Sequence, residues 1–246
     1  MTSEPLAPGA PAIILYRQVD RDDNGRTSHE DNYIRIKILT EEGRQRANVE
    51  LQFSQESENV VAIKGRTVKP DGSEVEFDGK VFEKSLVKGR GLRYLAKTFT
   101  LPDVEVGSII EYRWTYDFIE KYIFDSHWIL SQDLFTKSAR FSLKPYKSNY
   151  MPVTLRWTWQ GLPGENQPKE GPDHVVRMEV NNLAAFQTED YMPPANELKA
   201  RVDFIYQNDL IETNPDKFWK DFGKKRNGQL DSFVDKRKAM QEAVAQ

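Results

Sequence analysis

The chain has 246 residues, 30% of them charged, a formal net charge of −3 and no cysteine. That length suffices for one large all-β unit or two smaller domains, each with a real core. Lack of cysteine excludes disulfide frameworks, thiol catalysis and zinc-thiolate sites, and the acidic excess argues against a nucleic-acid surface built on net basic charge.

In chain order, the Pro- and Ala-rich residues 1–11 read as a linker or a truncated start, with neither the basic opening nor the apolar middle of a signal peptide. Ala12 to Val19 and Asn32 to Leu39 give a hairpin signal across the polar DRDDNGR stretch, with Ile34, Ile36 and Ile38 alternating with Arg35 and Lys37. Asn48 to Phe53 and Val60 to Val68 repeat the alternation. Pro70-Asp71-Gly72 then predicts a turn that returns Glu74 to Phe77 antiparallel. The weak periodicity of Asp78 to Arg90 predicts a loop over the sheet. Leu92 to Trp114 supplies the organising pair, two strand-like runs joined by a short break holding Pro102, Asp103 and Gly107. In the second run Ile110, Tyr112, Trp114 and Tyr116 share a core face, leaving Ile109, Glu111, Arg113 and Thr115 on the wet one.

His127 to Phe135 and Ser138 to Leu143 continue the pattern, with Ala139, Phe141 and Leu143 on one face. In Val153 to Gln160 the apolar Val153, Leu155, Trp157 and Trp159 alternate with polar residues, which predicts a core strand with both tryptophans inward. After the turn-rich Leu162 to Pro172, Val175 to Val180 and Arg201 to Tyr206 add two strands. Asn214-Pro215 reads as the N-cap and first position of a short helix ending before Gly223, and a second helix is expected from Asp231 to Gln246. The short helix puts Phe218, Trp219 and Phe222 on one face and cannot be stable in water alone, so these three are candidate interface residues. The pattern predicts an all-β, mainly antiparallel β-sandwich, as one unit or as two packed sheets or subdomains, followed by short C-terminal α-helices. No apolar run approaches the roughly 20 residues of a membrane span.

Few constellations carry chemistry. Asp20, Asp22, Asn24 and Gly25 match positions of a calcium loop, with Asp31 at its last position. The strand-like flanks and the Asp-Asn-Gly turn signal favour a solvated hairpin turn over a metal site. His29, His127 and His174 are isolated in sequence. Glu189 and Asp190 precede Tyr191 and Met192 in a proline-rich loop; adjacent carboxylates read first as a solvated loop, and a carboxylate-based hydrolase is the lesser alternative, because glycosidase acids must face each other across a substrate. Tyr112, Trp114, Tyr116, Trp157 and Trp159 could stack sugars, but core packing explains their alternation without further assumption. Gly89-Arg90-Gly91 lacks the following helix that a phosphate loop needs. These residues assign no catalytic group, no resident metal and no cofactor.

AIILY at Ala12 to Tyr16, IRIKILTEEG at Ile34 to Gly43, VKPDGS at Val68 to Ser73, LAKTFTLPDVEVGSIIEYR at Leu95 to Arg113 and FQTEDYMPP at Phe186 to Pro194 bring a family into view. The chain resembles the bacterial domain of unknown function found N-terminal to transglutaminase-like domains in exported proteins. The resemblance implies a sandwich-like domain at 12–208, a helical segment at 209–246 leading toward a transglutaminase-like domain absent from this chain, and export to the periplasm or cell surface. That neighbour's Cys, His and Asp triad maps to no position here. The expected function is a non-catalytic accessory domain that positions or regulates the neighbour or presents substrate to it. The alternative is a free-standing glycan- or peptide-binding sandwich, with a protein or polysaccharide ligand.

Overall fold

The alternating apolar residues of the first forty positions close a hairpin of β1 (Ala12–Asp22) and β2 (His29–Ile38), with Ile14 opposite Ile36 and Val19 opposite Asn32. The computed structural model describes residues 3–24, 28–89, 92–119, 125–147, 153–162, 166–208 and 214–234. It divides into a unit of residues 1–147 and 155–206 and a second of 148–154 and 207–246.

After a 3-10 turn at Glu42–Ala47 come β3 (Asn48–Ser54), β4 (Glu58–Val68), β5 (Glu74–Glu76), β6 (Phe82–Gly89) and β7 (Leu92–Thr100). β8 (Ile109–Phe118), β9 (Asp125–Ile129), β10 (Thr136–Lys144), β11 (Val153–Gln160), β12 (Lys169–Glu170) and β13 (Val176–Leu183) follow. A one-turn helix α1 (Ala195–Leu198) precedes β14 (Arg201–Asn208), and α2 (Pro215–Val234) is the last described element. An eight-stranded sheet has the order β12-β13-β10-β1-β2-β8-β4-β5, and two three-stranded sheets have the orders β3-β7-β6 and β11-β14-β9. The expected all-β sandwich is present and mostly antiparallel, with β1 and β10 parallel from Ile14 opposite Thr136 to Asp22 opposite Lys144.

Both small sheets cover the same face of the large one. Ile14, Ile34, Ile36, Val60 and Ile110 of the large sheet pack on Val49, Leu51, Phe53, Leu95 and Phe99 of the first small sheet. Val19, Ala139, Phe141, Leu143 and Met178 pack on Trp128, Val202 and Phe204 of the second. Each such buried side chain contributes roughly 1.5–3 kcal/mol, so two cores of this size hold the layers together. Where they meet, Arg17 opposes Ile34, donates through Nη1 to the Ile129 carbonyl at 2.7 Å and lies 5.3 Å from the Phe141 ring centre. Residues 3–11 turn back so that Ala7 and Ala10 pack on Ile13, Leu39 and Phe135. Gly43 is required there, because a Cβ would sit 2.0 Å from the Pro11 carbonyl oxygen.

Four expectations need correction. Leu92–Thr100 and Ile109–Phe118 are not partners: β7 lies in a small sheet and β8 in the large one. The break between them is a crossing from one layer to the other, with Leu101 and Val104 in the core and Asp103 (φ 52°) and Gly107 (φ 92°) in left-handed conformations. The predicted loop at Asp78 to Arg90 contains edge strand β6, paired with β7 from Phe82 opposite Thr98 to Gly89 opposite Leu92. Its periodicity is weak because neither face is deeply buried; Phe82 is 62% and Val87 53% exposed. Trp159 is not inward but 40% exposed, because β11 is an edge strand and only Leu155 and Trp157 reach the core. The helix begins as expected, with Asn214 Oδ1 accepting the Asp216 and Lys217 amides, but it runs through Gly223 and Gly228. Neither glycine takes a left-handed conformation, so neither ends it. Asp231 to Val234, the expected start of a second helix, continue α2, and the rest of that expected helix to Gln246 lies outside the described residues, as do Arg90 and Gly91.

Candidate functional site

Register decides which side chains share the outer face of the large sheet, because residues alternate sides along each strand. In one row Asp20 of β1 opposes Asp31 of β2, which opposes Thr115 of β8. In the next, Gln18 opposes Tyr33, Tyr33 opposes Arg113, and Arg113 opposes Lys64 of β4. The third runs from Arg35 through Glu111 and Arg66 to Glu76 of β5.

The third row is electrostatically closed. The buried Glu111 carboxylate lies 2.7 Å from Arg35 Nε and 2.9 Å from Arg66 Nε, and Arg66 Nη1 reaches Glu74 at 2.9 Å. Burial, together with the Glu111 charge, raises the Tyr33 phenol above its ordinary value, so its hydroxyl is a donor at neutral pH. The second row is open: among the described residues neither Lys64 nor Arg113 has an ion-pair partner. In the first row Asp20 accepts from Ser142 Oγ and Gln18 Nε2, each at 2.5 Å, and Asp31 accepts from Thr115 Oγ1 at 2.6 Å. These donors are neutral, and among the described residues neither carboxylate has a cation at ion-pair distance.

A bulge sets Lys64 over Arg113. From Val61 to Lys64, β4 advances three residues while β8 advances two, and Ala62 takes a φ of 54° to absorb the extra one. A non-glycine residue in that region costs about 1–2 kcal/mol, and bulges of this kind re-aim a side chain. The result is an open cleft of about 500 Å³ lined by Gln18, Asp20, Asp31, Tyr33, Lys64, Arg113 and Thr115, with no histidine in its lining. A second hollow of about 340 Å³ shares Tyr33, Lys64 and Arg113 and continues to Arg66, Glu76 and Glu111.

The residues singled out in the sequence are mostly scattered. Asp20 and Asp22 lie on β1 and Asp31 on β2, so this stretch is paired strand further out than expected. Asp22 is 2.8 Å from Lys144 Nζ and accepts the Asn24 amide at 2.7 Å; burial pushes its carboxyl up, but these partners leave it below the ordinary value. Gly25 lies outside the described residues. Among the described residues no three His, Asp or Glu side chains gather to hold a metal ion. His29 pairs with Asp22 in register, His127 is exposed on β9, and His174 (φ 62°) lies 2.7 Å from Glu170. Glu189 and Asp190 are exposed beside Tyr191, and the Glu189 amide donates to Met192 Sδ at 3.2 Å. Tyr112, Trp114 and Tyr116 pack on the core as expected. On α2, Phe218, Trp219 and Phe222 stack on one another, with Trp219 65% exposed. Among the described residues no helix is long and apolar enough to cross a membrane. The reading of single strands placed Arg113 on the wet face but missed its meeting with Lys64 and Tyr33, since that depends on the pairing of three strands.

The family DUF3857, a domain of unknown function with a solved structure, matches residues 23–187, and the chain belongs to it. Among solved structures the chain is similar to a candidate protease of Parabacteroides distasonis, at 14% identity and a TM-score of 0.60 over 79% of this chain and 40% of that one. It is also similar to leukotriene A4 hydrolase of Saccharomyces cerevisiae, at 9% identity and a TM-score of 0.39 over 80% of this chain and 29% of that one. An M1 zinc metallopeptidase of Deinococcus radiodurans matches at 8% identity and a TM-score of 0.36, over 80% of this chain and 42% of that one. The chain therefore spans less than half the length of these proteins, and the first likeness shows shared fold alone. A comparison with curated proteins returns no match.

Proposed function

We propose, with membership of DUF3857 as the premise, that the chain is a non-catalytic accessory domain that holds a protein or polymer substrate for a transglutaminase-like domain of the same exported protein. The observation that carries the reading is the open second row of the outer face. Among the described residues Lys64 and Arg113 have no ion-pair partner, and they line a cleft beside a row in which Glu111 pairs with both Arg35 and Arg66. Charge left unsatisfied on a strained bulge is suited to meeting a ligand, and the lining offers donors and acceptors without a histidine base. On the same reading Phe218, Trp219 and Phe222 of α2 are the contact with the downstream domain.

The test is the coding sequence downstream, followed by activity. A Cys, His and Asp core is expected there. Lys64→Ala with Arg113→Ala should then lower turnover of a protein substrate several-fold while leaving a small amine-acceptor pair untouched. Equal turnover of both substrates by the variant overturns the reading. The edge strand β6, with Phe82 and Val87 exposed, favours the alternative of a free-standing peptide-binding module that adds a strand at that edge. Loss of peptide binding in Val87→Pro, with the cleft variants unaffected, would select it.

A further inference from the structure

The outer face carries two like-charge pairs, and each is directly cross-strand. Asp20 opposes Asp31, and Lys64 opposes Arg113. Like charges placed directly opposite destabilise a sheet. Among the described residues neither pair has an ion of opposite sign at ion-pair distance, and the charge of Arg177, itself paired with Asp173, acts on Asp20 only from further along the row. Simple surface solvation does not explain the contrast with the third row, where the same strands place Arg35, Glu111 and Arg66 in one alternating ladder. The pairs are of opposite sign and line one cleft.

Their separation follows from sheet geometry. The acidic pair straddles β1 and β2 and the basic pair straddles β8 and β4, so their centres are two strand spacings apart and one row along. With strands about 4.8 Å apart and about 3.4 Å per residue, the diagonal is about 12 Å. An extended peptide advances at most about 3.5 Å per residue, so three or four residues bridge that distance. The lining also holds Tyr33, whose hydroxyl is engaged by Glu111 and Arg35, and Gln18, whose side-chain amide keeps one N–H beyond its bond to Asp20 for a peptide carbonyl.

We propose that this cleft binds a short peptide of three or four residues with both ends free. Asp20 and Asp31 hold the terminal ammonium, and Lys64 and Arg113 hold the terminal carboxylate in charge-assisted hydrogen bonds. This rests on the reading of the cleft as the binding site of the domain and names its ligand class.

The experiment is calorimetry of the full chain with tetra-alanine. The free peptide is expected to bind, and C-terminal amidation or N-terminal acetylation is expected to weaken it about tenfold or more. Arg113→Gln should cost the free peptide a similar factor and the amidated peptide almost nothing, while Asp31→Asn, a near-isosteric change, should do the same for the acetylated end. Equal affinity for free and capped peptides, or no binding of free tetra-alanine at millimolar concentration, overturns the proposal. If that happens while the Lys64 and Arg113 variants still impair turnover of a protein substrate, the ligand class alone is rejected and the accessory role stands.

Discussion

Lys64 of β4 is the register partner of Arg113 of β8, so two positive side chains stand directly opposite on one face of the large sheet. Such a pair works against the fold. Lys64→Glu would turn the repulsion into a cross-strand attraction and should stabilise the chain by about 1 kcal/mol at low ionic strength. The gain should shrink in 1 M salt, where screening acts over roughly 3 Å. A urea midpoint that stays put or falls in the variant contradicts the assignment of both side chains to one open row.

Glu111 is the buried hinge of the neighbouring row, with its carboxylate shared by Arg35 and Arg66. Glu111→Gln keeps the shape and removes the charge. The two arginines retain access to water, so the cost should be about 1–3 kcal/mol, below that of breaking a fully buried pair. Denaturant unfolding measures it, and a cost near zero would show that the bridge contributes nothing net.

Tyr112 and Tyr116 give the fold an alkaline limit. Burial pushes each phenol from its ordinary 10.0 up to about 12, with Glu58 adding to the rise at Tyr116. The neutral phenol is favoured in the fold, so its contribution is complete below pH 10 and is lost as pH rises through about 12. Each ring should cost on the order of 2–3 kcal/mol across that window. Tyr112→Phe should flatten the fall in stability between pH 10 and 12, and an unchanged slope would place the Tyr112 hydroxyl in water.

The second core should be far more sensitive than the edge strand beside it. Phe204 is fully buried with its ring centre 4.6 Å from that of Trp128, so Phe204→Ala should cost about 3–5 kcal/mol. Trp159→Ala should cost less than Phe204→Ala, because its ring is 40% exposed. If the tryptophan substitution were the costlier of the two, β11 would be a core strand after all.

The sequence alone determined the strands that bury one face, because period-two alternation is a local property: Ile34, Ile36 and Ile38 or Ala139, Phe141 and Leu143 reveal a buried face without any knowledge of the partner. Asn214 likewise announced its helix start, since an N-cap acts over three residues. The same reasoning failed at β6 and Trp159, where an edge strand leaves side chains exposed that alternation would bury. It also joined β7 to β8, because the eight-residue crossing between layers (residues 101–108) and a loose hairpin connection look alike when only turn residues are visible.

Only the tertiary structure decided the site. Asp20 and Asp31 are eleven positions apart and already shared a pattern, though as a loop; in the fold they are two strands facing each other. Lys64 and Arg113 are forty-nine positions apart and meet through a register displaced by the extra residue at Ala62. A one-residue change in that register would turn Lys64 to the other face, and nothing in either strand alone records which register is chosen. Alternation along a strand states which side chains face out, and the pairing of β1, β2, β8 and β4 states which charges they face.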